Sequence, residues 1–247
     1  MKNNLKINSK TNITTFNRSI ASILLISQLL TSCGGFGEVL PGGYPSPSAA
    51  AAATPAAAAP PTPSTRAYTT PDITYDEAQE VQKQYLRCPV EGYEIATIER
   101  IESKSQQQGY DSHVDKLDNM QGNPKFNPTW EQGPNAAARR KVAKRLQDYV
   151  TSYGLTKNPN GVKELKLWHG TDPAAAQSIM HTGFANLALL DEGFFGKGLY
   201  FTPQAEYVHR VYGKGMLLLT KVSFYSAYPV AMHADMDQLK NKGNYRN

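Results

Sequence analysis

Residues 34–74 constrain the fold most, because this stretch cannot belong to a hydrophobic core. It is rich in Gly, Pro, Ala, Ser and Thr and holds few large apolar side chains. Such a segment buries too little surface to offset the entropy lost when its backbone is ordered. Its prolines favour an extended, disordered linker. The core must therefore come from residues 75–247, which are long enough for one domain.

The N-terminal segment, residues 1–33, has the pattern of an export signal. A positively charged start precedes the apolar stretch 20–30. As a helix this stretch would span roughly 16 Å of a bilayer core of about 30 Å, which favours a signal peptide over a membrane-spanning helix. Leu-Thr-Ser-Cys at 30–33 resembles a bacterial lipobox, whose cysteine is acylated. A chance cysteine beside an ordinary signal peptide is the alternative.

A lipid on Cys33 predicts an exported lipoprotein, periplasmic or at the cell surface, held to a membrane by its acyl chains. Cys88 would then be the one remaining cysteine, and we predict a plain, partly buried thiol there. The cysteines and the histidines at 113, 181, 209 and 233 have no metal-ligand spacing, so we expect no metal.

The formal net charge of +5 does not indicate a nucleic-acid partner. Residues 1–32 carry four of the cations and no acid, so the rest of the chain is close to neutral. A nucleic-acid footprint needs Lys and Arg clustered on a folded face. The basic run at 139–145 is better explained as a solvated helix face.

The hydrophobic pattern after Tyr75 predicts short helices and strands. Helices are expected at 76–86, 106–120, 136–153, 173–181 and 204–212, and strands at 92–101, 165–168, 198–202 and 216–224. Asp172 is the predicted N-cap of the fourth helix, Pro173 its first residue, and Gly183 lies just past its end. These elements predict an α+β class with a mixed, mainly antiparallel sheet flanked by helices.

Two motifs carry the functional signal: Leu-Trp-His-Gly-Thr at 167–171 and Gly-Lys-Gly-Leu-Tyr-Phe at 196–201. A His-Gly at a strand end and a Gly-x-Gly turn that delivers a Tyr-Phe suit a site for a flat, amide-bearing ring and a ribose. Taken singly, each has a structural explanation. The turn is no Walker A loop, because no Ser or Thr follows the lysine, and no Rossmann fingerprint, because no helix follows it.

In this order and spacing the motifs resemble the catalytic domain of poly(ADP-ribose) polymerase-type ADP-ribosyltransferases. Residues 93–101, Tyr-Glu-Ile-Ala-Thr-Ile-Glu-Arg-Ile, are similar to the opening strand of its mono-ADP-ribosylating members. The resemblance covers about residues 75–229. It implies NAD as the substrate, cleaved between nicotinamide and ribose, and transfer of ADP-ribose to an unidentified acceptor protein.

The resemblance also assigns residue roles. His169 and Tyr200 are the implied catalytic residues: His169 would bond a ribose hydroxyl, and Tyr200 would pack on the nicotinamide. Gly170 lacks a Cβ, so its backbone could approach the nicotinamide amide. The implied NAD-binding set is His169, Gly170, Thr171, Gly198, Tyr200, Phe201 and Tyr212.

Two departures from the family pattern stand out. An ungapped alignment puts Val208 in place of a serine and Val211 in place of a second nicotinamide-stacking tyrosine, although Tyr212 would serve after a one-residue shift. Residues 232–247 are polar and supply no further strand, so no third catalytic residue is assigned. We therefore expect an incomplete, truncated domain with an unpaired sheet edge.

Three functions stay open at this point. The chain could be an exported transferase, a catalytically inactive lipoprotein that binds NAD or ADP-ribose, or a truncated remnant without a ligand. Because NAD is chiefly intracellular, an exported transferase would have to act inside a host or competitor cell.

Overall fold

The computed structural model describes residues 11–16, 71–120, 123, 129–155, 161–184, 192–193, 196–197, 199–212, 216–231 and 235. The helices are α1 (Tyr75–Leu86), α2 (Lys104–Met120), α3 (Ala136–Tyr153), α4 (Pro173–Thr182) and α5 (Ala205–Tyr212). The strands are β1 (Thr11–Phe16), β2 (Ile95–Ile101), β3 (Lys163–Thr171), β4 (Glu192–Gly193), β5 (Gly196–Lys197) and β6 (Met216–Phe224).

The main sheet has the strand order β2-β1-β6-β3. β3 and β6 pair antiparallel along their whole lengths, with His169 opposite Leu218. β1 runs parallel to both of its neighbours. A small antiparallel hairpin, β4-β5, lies apart from it. The α+β class is confirmed, and the sheet is mixed as expected.

Strand β1 is absent from the sequence-based prediction. Thr11–Phe16 lies inside the segment that we expect to be a signal peptide, yet it pairs with β2 on one side and β6 on the other. The sequence predicts an unpaired sheet edge, and among the described residues that edge is not at β6, which has a partner on each side, β1 and β3.

Three apolar clusters hold helices against the two faces of the sheet. On one face, α1 and α5 pack on Trp168, Leu217 and Leu219. On the other face, α4 packs around Leu218. A third cluster contains Leu165, Leu167, Phe201, Val222 and Phe224, with side chains of α3 against it. Neighbouring residues of β6 are buried on opposite faces, so most of the strand is buried on both faces of the sheet.

The ends of several elements differ from the prediction. Strand β3 begins at Lys163 and runs to Thr171, so His169 and Gly170 lie within the strand. The strand predicted at 198–202 is wrong over residues 199–202, where the structure has a single bridge between Thr202 and Trp168. Helix α4 has the predicted cap: the Asp172 side chain accepts from the Ala175 N–H, and Pro173 opens the helix.

Arg139 is the exception to the predicted solvated basic helix face, whose other members, Arg140, Lys141, Lys144 and Arg145, are exposed as predicted. Its side chain is 1% exposed and forms an ion pair with the buried carboxylate of Asp235. Its Nε also donates to the Trp130 carbonyl at 2.7 Å. The guanidinium supplies enough donors to satisfy several acceptors at once, which is why this cation is stable in the interior.

The prediction of a plain thiol at Cys88 is wrong, because Cys88 is disulfide-bonded and 3% exposed. The other cysteine of the sequence is Cys33, which lies outside the described residues. None of the described helices is both long and apolar enough to cross a membrane.

Candidate active site

The candidate site lies at the edge of β3 that faces away from β6, where no described strand pairs with it and which is called its open edge below. The Trp168 N–H donates to the Thr202 carbonyl at 2.7 Å, and the Thr202 N–H donates back to the Trp168 carbonyl at 3.0 Å. Next to this bridge, Nδ1 of His169 lies 2.9 Å from the backbone carbonyl of Tyr200. These three hydrogen bonds attach residues 200–202 to the strand that carries the histidine.

The bond to Tyr200 fixes the tautomer of His169. A carbonyl oxygen can only accept, so Nδ1 carries the proton and donates it. In the neutral ring Nε2 then has a free lone pair. Burial lowers the pKa of His169, and the bond to the Tyr200 carbonyl opposes this shift without cancelling it. The imidazole is therefore neutral near pH 7 and presents a hydrogen-bond acceptor at Nε2.

Two phenylalanines surround the imidazole. The ring of Phe184 meets it edge-on with centroids 5.0 Å apart, and the ring of Phe201 lies 5.5 Å away. Phe201 is 5% exposed and belongs to the third apolar cluster. Its side chain therefore supports His169 from the core, which differs from the predicted contact with NAD.

Gly170 has its backbone amide directed at the open edge of β3. Both backbone groups of Trp168 point to that edge, and in a strand every second residue points the same way. The N–H and C=O of Gly170 therefore face it too, beyond the Thr202 bridge. The N–H can donate to the oxygen of a carboxamide, and the C=O can accept from its NH2 group.

Helix α5 explains why residue 170 is a glycine. A Cβ there would lie 2.3 Å from Cγ1 of Val208 and 3.1 Å from Cβ of Tyr212. The glycine thus permits close packing of α5 on β3, a structural requirement beyond the predicted approach of a ligand.

The contacts of Val208 and Tyr212 with Gly170 help to align α5 with the family's serine and tyrosine positions. Val208 is 2% exposed and belongs to the first apolar cluster, so it supplies no hydroxyl and no open contact surface. Tyr212, and not Val211, is the residue that approaches Gly170. This geometry favours the one-residue shift that makes Tyr212 a candidate for contact with a ring bound at Gly170.

The remaining predicted residues are placed only in part. Thr171 ends β3 opposite Met216, and Tyr200 is half-buried. Gly198 and residues 185–191, which separate the two motifs, lie outside the described residues. The predicted cleft between the rings of His169 and Tyr200 therefore stays a prediction. Two cavities, of about 720 and 470 Å³, lie elsewhere and are lined by neither residue.

Sequence reasoning does not single out Phe184 or Thr202, although both shape the site. Phe184 follows the glycine that ends α4, and Thr202 follows the Tyr-Phe of the second motif. In the sequence, only their positions next to Gly183 and next to the second motif could have indicated that they belong to the site. In the described part of the chain, no three His, Cys, Asp or Glu side chains are grouped as metal ligands.

The family model of the poly(ADP-ribose) polymerase catalytic domain matches residues 75–245. The chain belongs to this family. The match confirms the resemblance seen in the two motifs, and it begins where α1 begins. Searches of curated proteins and of solved structures gave no significant match. The ADP-ribosyltransferase domain thus contains His169, Gly170, Tyr200 and Tyr212.

Proposed function

We propose that the domain is an NAD-dependent mono-ADP-ribosyltransferase that releases nicotinamide and modifies a protein. The observation that carries the proposal is the pairing of a neutral His169, with Nε2 as an acceptor, and the edge-facing amide of Gly170. A ribose hydroxyl donates, and a carboxamide both donates and accepts. Family membership supports ADP-ribosyl transfer as the reaction.

Each residue has one task in the proposed reaction. The N–H and C=O of Gly170 orient the nicotinamide carboxamide, at a net gain of about 0.5–1.5 kcal/mol per bond. Nε2 of His169 accepts from a ribose hydroxyl and fixes the sugar. The bond between ribose and nicotinamide breaks with its electron pair going to the ring nitrogen, and a side chain of the acceptor protein attacks the ribose carbon. The proposal assigns no third catalytic residue.

The choice of mono-transfer rests on the N-terminal part of the domain. Residues 93–101 are similar to the opening strand of mono-ADP-ribosylating members, and most of this stretch forms β2. Gel analysis of a labelled acceptor tests it. A single shifted band supports mono-transfer, whereas a ladder of products would show chain elongation.

The assigned site is tested by transfer of labelled ADP-ribose from NAD, with His169→Ala beside the wild type. Loss of one neutral hydrogen bond predicts an NAD affinity about 2- to 13-fold weaker, and labelling should fall further because the sugar is no longer held. His113→Ala, on α2, is the matched control and should label normally. Equal labelling by His169→Ala would refute the site.

A second candidate, a catalytically inactive binder of NAD or ADP-ribose, is favoured by Val208. In the ungapped alignment this buried valine stands where the family usually has a serine, and after the one-residue shift His209 stands there, so neither alignment supplies that hydroxyl to a ligand. Calorimetry separates the two functions: NAD binding without release of nicotinamide indicates the binder. A melting temperature that NAD leaves unchanged would indicate a remnant without a ligand.

We also propose that the protein is exported, with the disulfide at Cys88 as support, because disulfides persist in oxidising compartments. A lipid on Cys33 and a bond from Cys33 to Cys88 exclude each other, since one sulfur cannot carry both. Mass spectrometry of the non-reduced protein decides between them. An acylated Cys33 requires Cys88 to pair outside its own chain or to be reduced.

A further inference from the structure

The gap between β2 and β6 is the width of one strand, and β1 fills it. β2 and β6 each pair with β1 and not with each other. Strands in a sheet lie about 4.7–4.9 Å apart, so β2 and β6 are separated by roughly twice that spacing. Without β1, both would present unpaired N–H and C=O groups to the gap.

The backbone groups of β6 that face the gap can be identified. Both backbone groups of Trp168 point away from β6, so Trp168 and Leu219 form a non-hydrogen-bonded pair. Leu218 therefore bonds to His169 in β3. By alternation, Leu217 and Leu219 direct their N–H and C=O groups toward β1, where they lie opposite Ile13 and Thr15.

Apolar clusters that include residues of both β2 and β6 lie on each side of the sheet at the gap. Leu217 and Leu219 pack with the α1 side chains Val81 and Tyr85 on one face. Leu218 packs with the α4 side chains on the other face, together with Ile101 at the end of β2. The gap therefore has apolar residues of its two neighbouring strands beside it on both faces, which favours a neutral segment rich in β-branched residues.

Residues 11–16, Thr-Asn-Ile-Thr-Thr-Phe, match this requirement. They carry no charge, and four of the six are β-branched. The segment is separated from α1 by the long stretch 17–70, whereas β6 follows α5 after residues 213–215. No short connection therefore positions β1, which leaves pairing within the sheet and any disulfide from Cys33 to Cys88.

We propose that the gap between β2 and β6 is a strand-acceptor site for a neutral, β-branched segment of about six residues, and that residues 11–16 are its occupant. The segment binds in parallel register through the backbone of Leu217 and Leu219. Because it is tethered by a long linker, the same sequence supplied as a separate peptide exchanges with it. A cleavage before Cys33 would leave the site open for such a peptide.

The test uses the full chain, folded with a protease site placed in the linker at 60–66 and with Cys33→Ser, so that no disulfide can hold the segment. After cleavage, the N-terminal piece should co-elute with the domain in gel filtration. An excess of a fluorescent peptide of residues 8–18 should displace it, and the same peptide with Ile13→Pro should not, because proline cannot donate within a central strand.

Hydrogen exchange adds a readout specific to the register. The displaced segment and then the peptide are removed, so that the gap is empty. Hydrogen exchange should then be faster at the Leu217 and Leu219 amides, whereas the Leu218 amide, which bonds to β3, should stay protected. Release of the N-terminal piece directly after cleavage would overturn the proposal. Displacement by both peptides, or by neither, would overturn it as well. NAD enters none of these measurements, so the outcome is independent of the proposed transferase activity.

Discussion

Gly170→Ala is a direct test of how closely α5 packs on β3. The added methyl would lie 2.3 Å from Cγ1 of Val208 and 3.3 Å from the Val208 carbonyl oxygen. A valine in a helix has one strongly preferred rotamer and cannot turn aside, so the helix itself has to move. Overpacking of this kind costs about 1–3 kcal/mol. For a domain of this size that lowers the melting temperature by roughly 2–12 °C.

A double-mutant cycle makes this prediction specific to one contact. Val208→Ala removes the clashing methyl and alone costs about 1.5–3 kcal/mol, from lost burial and a small cavity. In the variant that carries both changes, the new methyl occupies part of that cavity. The two costs should therefore fail to add, with a favourable coupling of at least about 1 kcal/mol.

Thermal or urea unfolding of the four proteins provides the measurement, with NAD titration as a second readout. The double variant should regain most of the NAD affinity lost in Gly170→Ala, since its backbone amide still faces the strand edge. A Gly170→Ala protein as stable as the wild type, or strictly additive costs, would refute the packing argument.

Two further predictions concern the protonation of His169 and the buried ion pair of Arg139. Burial lowers the pKa of His169 in the folded protein. The stability that the neutral imidazole contributes is therefore present above the unfolded-state pKa of about 6.5, and it is lost as the pH falls through the folded-state pKa. The melting temperature of the wild type should thus fall more steeply below about pH 6.5 than that of His169→Gln, and parallel curves would contradict this. Asp235→Ala leaves the charge of Arg139 buried and unpaired, which should cost about 3–5 kcal/mol in urea unfolding. Asp148→Ala, which breaks the exposed pair with Lys144, is the control and should change stability little; equal losses in the two variants would show that burial of the Arg139 pair is energetically irrelevant.

The local elements of the domain were predictable because their signals are local. β6 begins with four consecutive apolar residues and contains two more, and its predicted bounds, 216–224, agree with the structure. The ends of α4 follow from Asp172, Pro173 and Gly183, whose capping roles need no knowledge of the rest of the fold. The two motifs predicted that residues 169 and 200 belong to one site, and in the structure Nδ1 of His169 lies 2.9 Å from the Tyr200 carbonyl, while the roles of both side chains stay predictions.

The features that the sequence did not predict depend on contacts between residues that lie far apart in the chain. β1 pairs in parallel with strands that begin at Ile95 and Met216, and six neutral residues give no sign of such partners. The burial of Arg139 depends on Asp235, and a charge pattern along one helix cannot show it. A strand was predicted at 198–202, but over residues 199–202 the structure has one bridge, at Thr202, to the distant Trp168.

Trp168 gives this domain a built-in optical probe of its site. Its side chain is fully buried, its indole N–H finds no acceptor among the described residues, and the ring of Tyr85 meets it edge-on at 6.5 Å. An indole in such dry surroundings fluoresces at shorter wavelengths than one in water. Replacing Trp130, the second tryptophan of the sequence, with Phe would leave one emitter directly before His169 in the chain. The emission wavelength and intensity of Trp168 would then report, without any added label, when a ligand binds near His169 or when the packing around the indole is lost.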